Sequence, residues 1–415
     1  MPAIIILPAY PTIMTDYSTS KDIRAKRWGM LGVIYFYLLI PGMGMQTIPP
    51  ILTAILSEFS LSYAQGGLLM SFFALPAIFI AIPAGMIADR YNQKTISIIS
   101  LILVVAGTVL FFNSSNIQLM LLGRIIIGAG SAALFVLGPQ IVAQWFAGKE
   151  LGLAIGILNS SIPLSSIIAL NLFSMIGERA GWRACFYPSV GFPLVAIIVV
   201  LFFFTRAPIN KIQHRLQSQS IMQEVRHSGL SIWLIAASWM FFNMVIASLI
   251  TFTPDYLQLN GYSAISAGLI TSIIMWPSLV MCPAIGFVMY KLGRKHLIVI
   301  VASLLVCVMV ALMPYVTSRI ILLIALFGIV QAVISPPLFT LASEVTDPQR
   351  QGMTFGIMGT CQNIGGMLGP FLFGAVRDYT GAFHSSFMLM AGFMLGVILL
   401  FIILVRKQKA KASNL

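Results

Sequence analysis

The sequence predicts an all-α integral membrane protein, with twelve transmembrane helices arranged as two pseudo-symmetric six-helix bundles. Three observations lead there. Hydrophobic residues make up 59% of the 415-residue chain and charged residues only 8%, a balance that no soluble domain of this size shows. Apolar stretches of about 20 residues, enough to cross roughly 30 Å of hydrocarbon at 1.5 Å per residue, recur twelve times. The pattern Gly85-Met-Ile-Ala-Asp89-Arg90-Tyr-Asn-Gln-Lys94 also returns, weakened, as Gly286-Phe-Val-Met-Tyr290-Lys291-Leu-Gly293-Arg294-Lys295, 201 residues later. A duplicated membrane unit of this kind is how rocking carriers are built.

Taken in chain order, residues 1–27 read as a cytoplasmic tail. Ala3–Leu7 is a short apolar run with no positive charge before it and Pro2 and Pro8 close by, so it is neither a signal peptide nor a crossing helix. A start at Met14 is the alternative reading of this segment. The N-terminal bundle, 28–205, holds crossings near 28–50, 65–88, 95–113, 117–145, 151–176 and 184–205. Residues 206–229 form a cytoplasmic linker rich in Lys, Arg, His, Gln and Ser; Lys211–Arg226 reads either as a solvated connector or as a short amphipathic helix on the anionic leaflet. The C-terminal bundle, 230–405, holds crossings near 230–253, 264–290, 297–315, 319–343, 352–376 and 386–405, and 406–415 is a second cytoplasmic tail.

Charge sets the orientation, because loops rich in Lys and Arg stay on the cytoplasmic side during insertion. With both termini inside, 19 of the 24 Lys and Arg fall on the inner side, and an odd number of crossings would break that partition. The net charge of +13 therefore reports topology and attraction to anionic lipid, not nucleic-acid binding. Cys185, Cys282, Cys307 and Cys361 are scattered singly, without disulfide or metal-ligand spacing. There is no phosphate loop, no nucleophile motif and no carboxylate cluster, so we expect no enzyme and no cofactor. The partners expected are a small-molecule substrate and membrane lipid, for a monomer in a prokaryotic inner (plasma) membrane.

These residues resemble the major facilitator superfamily (MFS) of transporters over about 28–405. The most specific likeness is the loop after the second crossing, where the family pattern Gly-x-x-x-Asp-Arg-x-Gly-Arg-Lys is met by Gly85, Asp89, Arg90 and Lys94 but not by Asn92 and Gln93. In the second copy Gly286, Lys291, Gly293, Arg294 and Lys295 match, while Tyr290 replaces the acid. The resemblance implies a conformational latch, with Asp89 docked near the start of the eleventh helix in one arrangement of the halves. The chemistry fits, since a carboxylate at a helix N-terminus is stabilised by the helix dipole. A loop that merely sets topology would explain Arg90 and Lys94 but not the acid. In the second half Glu344 is the acid available to pair with Arg294. A further repeat, Gly152–Gly156 against Gly352–Gly356, is assigned to helix packing.

Gly123-Arg124-Ile-Ile-Ile-Gly128-Ala-Gly130-Ser131 resembles the family's fourth-helix pattern and supplies the strongest chemical clue. Arg124 lies about 10 Å inside its crossing, where a charge costs on the order of 3 kcal/mol, so it should face the bundle interior and grip an anion; the alternative is snorkelling to the headgroups. No Asp or Glu is expected in mid-span, with Glu58, Glu178, Asp255 and Asp378 placed in outer loops. That disfavours proton coupling and cation export. Neutral polar and aromatic residues would complete the substrate site: Tyr35, Gln46, Asn159, Trp239, Asn243, Trp276, Gln331 and Gln362, with Ser335 and Asn363 close by. The expected function is a secondary active or facilitative transporter of a small organic solute, an anionic carboxylate being favoured, that works by alternating access. The alternatives are a proton-coupled exporter of hydrophobic compounds and a non-transporting membrane sensor on the same fold.

Overall fold

A computed structural model describes residues 21–146, 149–205, 229–280, 295–316, 319–346 and 351–413, and every regular element among them is helical. That follows from the solvent. In hydrocarbon each backbone N–H and C=O must be paired within its own segment, which a helix achieves alone. Ten helices are long and apolar enough to cross a membrane, and Ala264–Val280 is a shorter apolar one. The remaining crossing is the 30-residue helix Gln351–Thr380, whose Arg377 and Asp378 lie in its last turns. The described helices overlap each of the twelve apolar runs, the eighth being described as far as Val280. The linker 206–229 lies outside the described residues except for Gly229.

In chain order the helices are α1 (Lys21–Met45), α2 (Leu52–Glu58), α3 (Tyr63–Arg90), α4 (Gln93–Phe112), α5 (Ile117–Trp145), α6 (Lys149–Asn159), α7 (Ser161–Ala180) and α8 (Phe186–Phe203) in the first half. The second half holds α9 (Leu230–Leu259), α10 (Ala264–Ser272), α11 (Lys295–Leu312), α12 (Ile320–Ala332), α13 (Ser335–Glu344), α14 (Gln351–Thr380) and α15 (Phe383–Ser413). Several crossings are built from two pieces. The first breaks at Pro49-Pro50, where a short 3-10 turn joins α1 to α2, because proline lacks the N–H that the preceding turn needs. The fifth breaks between α6 and α7 just before Pro163, and the tenth between α12 and α13, at Pro336-Pro337.

The duplication is visible in the backbone. Among the described residues, positive φ occurs at Ser60 and Gly261 and at Gly181 and Gly381, two pairs in matching positions of the two halves. Gly181 (φ 82°) and Gly381 (φ 71°) end α7 and α14, a left-handed position where a side chain would be strained.

Burial sorts the helices. α9 is the most enclosed crossing, while α8, α11 and α15 are the least. On α8 Ile198, Phe202 and Phe203 are exposed, and on α15 Leu395, Leu399 and Ile403 are; each set falls along one helical face. Apolar faces of this kind point to hydrocarbon, so these helices form the rim and α1, α5 and α9 the centre.

The two bundles meet mainly at the end away from the termini, here called the far side. There α3 packs on α14 and α7 on α10, while α9 packs on the 3-10 turn and α2. Glycines allow the approach. A Cβ on Gly67 would sit 2.4 Å from the Pro370 carbonyl oxygen, one on Gly374 2.2 Å from that of Tyr63, and one on Gly268 2.4 Å from that of Leu170. Ser71 also donates to the Met367 carbonyl across this seam. On the tail side, α6 packs on α1, α5 and α7, and α13 on α9, α11 and α14, each within its own bundle. A Cβ on Gly152 or Gly356 would meet nothing within 4 Å. Among the described residues these two glycines therefore do not pack a helix pair in this arrangement, contrary to the sequence expectation.

Candidate functional site

The expected site residues of the two bundles bond within their own halves. From the first half, the Tyr35 hydroxyl bonds Ser160 Oγ at 3.2 Å, and Asn159 beside it is exposed at the break between α6 and α7. From the second half, Trp239 Nε1 donates to Gln362 Oε1 at 3.3 Å, joining α9 to α14. Trp239 also stacks on Phe242 and meets Phe339 edge-on, with ring centroids 5.5 and 5.2 Å apart. Asn243, one turn further along α9, gives its Nδ2 to the Trp239 carbonyl at 2.8 Å and keeps its oxygen free to accept. Asn363 is tied to its own helix through Gly359. Trp276 is half exposed on the eighth crossing.

Three expected site residues, Gln331, Gln46 and Arg124, are buried. Gln331 is buried and bonds the Ile274 carbonyl and Ser278 Oγ at 3.1 and 2.8 Å, bracing the 3-10 turn Ile273–Met275 that interrupts the eighth crossing. Gln46 is buried beside the break of the first crossing, and its Oε1 has no hydrogen-bond partner. Arg124 is 1% exposed. Its Nε donates to the Leu69 carbonyl at 2.7 Å, one terminal nitrogen to Gly44 at 2.7 Å, and the other to Met45 at 3.4 Å. The guanidinium also lies 4.7 Å from the Phe73 ring centroid.

The cause is written in the proline pair. Pro49 has no N–H to give to the Met45 carbonyl four residues back, α1 ends at Met45, and the arginine fork reaches that carbonyl and the Gly44 carbonyl before it. Its guanidinium thus sits inside the N-terminal bundle, where Arg124 lines a small pocket together with Ile40, Thr108, Phe112, Ser189 and Phe192. The groups that bond it are neutral, so its charge is not cancelled by an ion pair. Gly128 and Gly130 are packing positions, where a Cβ would lie 2.1 Å from the Phe73 oxygen and 2.4 Å from that of Ser100.

Of the latch residues, the surroundings of Gly85, Asp89 and Arg90 near the end of α3, and all of Arg294, lie outside the described residues. Lys94 gives its Nζ to the Leu201 carbonyl at 2.6 Å, and Asn92 caps α4 by accepting from the Lys94 N–H at 3.1 Å. The departure at position 92 is thereby accounted for, since Asn is a strong N-cap residue. Glu344 pairs with Lys295, the neighbour of Arg294.

One expectation about acids is corrected. Asp255 is not in an outer loop: α9 continues to Leu259, and Asp255 is 1% exposed within it. It accepts from Thr53 Oγ1 of the other bundle at 2.7 Å, and its second oxygen is unpartnered. The apolar run stopped the expected helix at 253, but burial between the bundles sustains it further. Glu178 and Asp378 also belong to helices, α7 and α14.

The sequence profile of the Major Facilitator Superfamily matches residues 34–370 and 259–415. A lysosomal dipeptide transporter, MFSD1 of Danio rerio, is 22% identical over 373 residues, covering 84% of this chain and 80% of its own. The hexuronate transporter of Bacillus subtilis is 26% identical over 361 residues, covering 81% and 84%. Among solved structures, a bacterial homolog of the human lysosomal transporter Spinster, in an inward-facing and occupied conformation, superposes with a TM-score of 0.76 at 18% identity, covering 93% and 98%. With the profile spanning both bundles and this fold beneath it, the chain belongs to the Major Facilitator Superfamily and is a solute transporter, not an enzyme.

Proposed function

We propose that the protein is a secondary carrier of small carboxylate-bearing organic solutes that works by alternating access, with its tail side in the cytoplasm. One observation carries the mechanism. Among the described residues, the bonds that join the bundles lie toward the far side, so a cleft holding Tyr35, Asn159, Trp239, Asn243 and Gln362 would open to one side at a time. With the tails inside, this is an inward-open state. Rocking the bundles about the middle of α3 and α14 would close the tail side, where Gly152 and Gly356 leave room for a helix to approach.

The carboxylate preference rests on two supports. The positive charge of Arg124 is uncompensated, and a fixed charge in a low-dielectric bundle raises the potential of a neighbouring cleft without touching the solute. Dipeptides and hexuronates, the solutes named for two relatives, both carry a carboxylate. Neutral donors such as the Trp239 indole and the Asn and Gln amides would make the direct contacts.

Uptake into proteoliposomes, paired with thermal-shift measurements on matched acids and amides, tests this reading. Carboxylates should stabilise the protein and be taken up while their amides are not. Stabilisation by cationic or neutral compounds alone would overturn the solute class. Proton-driven export of hydrophobic compounds has one observation in its favour, the buried carboxylate of Asp255 at the bundle seam, and predicts a response to an imposed pH gradient.

A further inference from the structure

Two carboxylates on the far side make the same contact in opposite directions. Asp378, in the last turn of α14, accepts from the backbone N–H groups of Tyr63 and Ala64 at 2.8 and 2.7 Å, at the start of α3. Glu178, in the last turns of α7, accepts from the backbone N–H of Ile265 at 2.6 Å, at the start of α10. Each bond joins one bundle to the other. Glu178 and Asp378 are 200 residues apart, and so is the pair of left-handed glycines that follows them, Gly181 and Gly381. The capped helices match as well. Ser62 and Ser263 each use their own hydroxyl on the N–H three residues on, at Gln65 and Ser266. Those serines take one orphan donor of each helix and leave the donors of its first turn for the carboxylate of the opposite bundle.

We infer that Glu178 and Asp378 form a two-fold-related far-side latch, which exists only while the bundles are closed there and must break for that side to open. The inference rests on the carrier reading above. The physics favours it over surface decoration. A carboxylate at a helix N-terminus meets both free N–H donors and the positive end of the helix dipole, so each cap biases the closed state directly. Both ends move apart when the bundles rock, so both caps are lost together. By contrast, Glu58 bonds Trp182 and Arg183 at 2.5 and 2.6 Å within one bundle, and rocking leaves that contact intact.

The experiment reads the opening of the far side directly. Spin labels on p-acetylphenylalanine at Tyr187 and Arg319, exposed positions at the far ends of the two bundles, report their separation by electron–electron dipolar spectroscopy on full-length protein in nanodiscs. Glu178→Ala or Asp378→Ala should each raise the ratio of far-side-open to closed protein about three- to tenfold, in line with a lost cap. The double variant should show roughly the product of the two, and Glu178→Gln with Asp378→Asn a smaller shift. Glu58→Ala should leave the distances as they are. Unchanged distances in the double variant, or an equal shift from Glu58→Ala, would overturn the latch. Uptake by the unaltered protein, measured alongside, keeps the two ideas apart: transport without a shift in the variants sinks the latch and leaves the carrier standing.

Discussion

Replacing Arg124 tests whether a membrane arginine of this pattern holds the solute or holds the helix. In Arg124→Gln the carbonyls of Leu69 and Gly44 lose bonds of 2.7 Å and that of Met45 a longer one of 3.4 Å, around a side chain that is buried. At about 1–3 kcal/mol for each buried acceptor left unpaired, the loss would be roughly 3–6 kcal/mol. Hydrogen bonds between membrane helices measure lower, near 0.6 kcal/mol each, which sets a floor of about 2 kcal/mol. Thermal unfolding of the detergent-solubilised protein, followed by tryptophan fluorescence, should show a Tm lower by roughly 2–7 °C, at about 1 °C per kcal/mol for a chain of 415 residues. Arg124→Lys should fall between the two, since an ammonium reaches a carbonyl but lacks the fork. Adding Pro49→Ala to Arg124→Gln should recover part of the loss by returning an N–H to the Met45 carbonyl, a coupling that a double-mutant cycle isolates. An unchanged Tm together with a lost response to ligand would refute this account, and would move Arg124 from the scaffold to the solute.

Further outcomes follow from the same contacts. Gly67→Ala and Gly374→Ala each place a methyl within 2.4 Å of backbone across the bundle seam, so alkylation of far-side cysteine probes should increase; Gly152→Ala and Gly356→Ala, which meet nothing within 4 Å in this arrangement, should not increase it. Gln362→Ala breaks its bond to Trp239 and removes an exposed cleft amide; solute affinity should fall about three- to tenfold while Tm holds within a degree or so. Asp255→Asn keeps an acceptor for Thr53 but removes the titratable group, so any uptake driven by an imposed pH gradient should lose that drive. Gradient-driven uptake that survives in this variant would clear Asp255 of a coupling role.

The architecture was legible because lipid writes it into the chain one helix at a time. Each crossing must be apolar over about 20 residues and satisfy its own backbone, so composition and length alone locate it. The repeat was legible too, since each half keeps its turns in register, and the glycines at 181 and 381 are the same turn twice. What a residue bonds across helices left no comparable mark. Arg124 read as a solute ligand because its cost in the membrane demands a partner, and only the fold shows that the carbonyls of Gly44 and Leu69 on two neighbouring helices supply partners. Asp255, Glu178 and Asp378 read as loop acids because apolar runs stop short of them, although their helices continue into the seam between bundles. Sequence by itself therefore determined the solvent, the number of crossings and the duplication, all of which depend on neighbours along the chain. Tertiary structure alone decided which groups meet across the bundles, such as Asp255 with Thr53 and Asp378 with the start of α3, because those contacts form only after the helices pack.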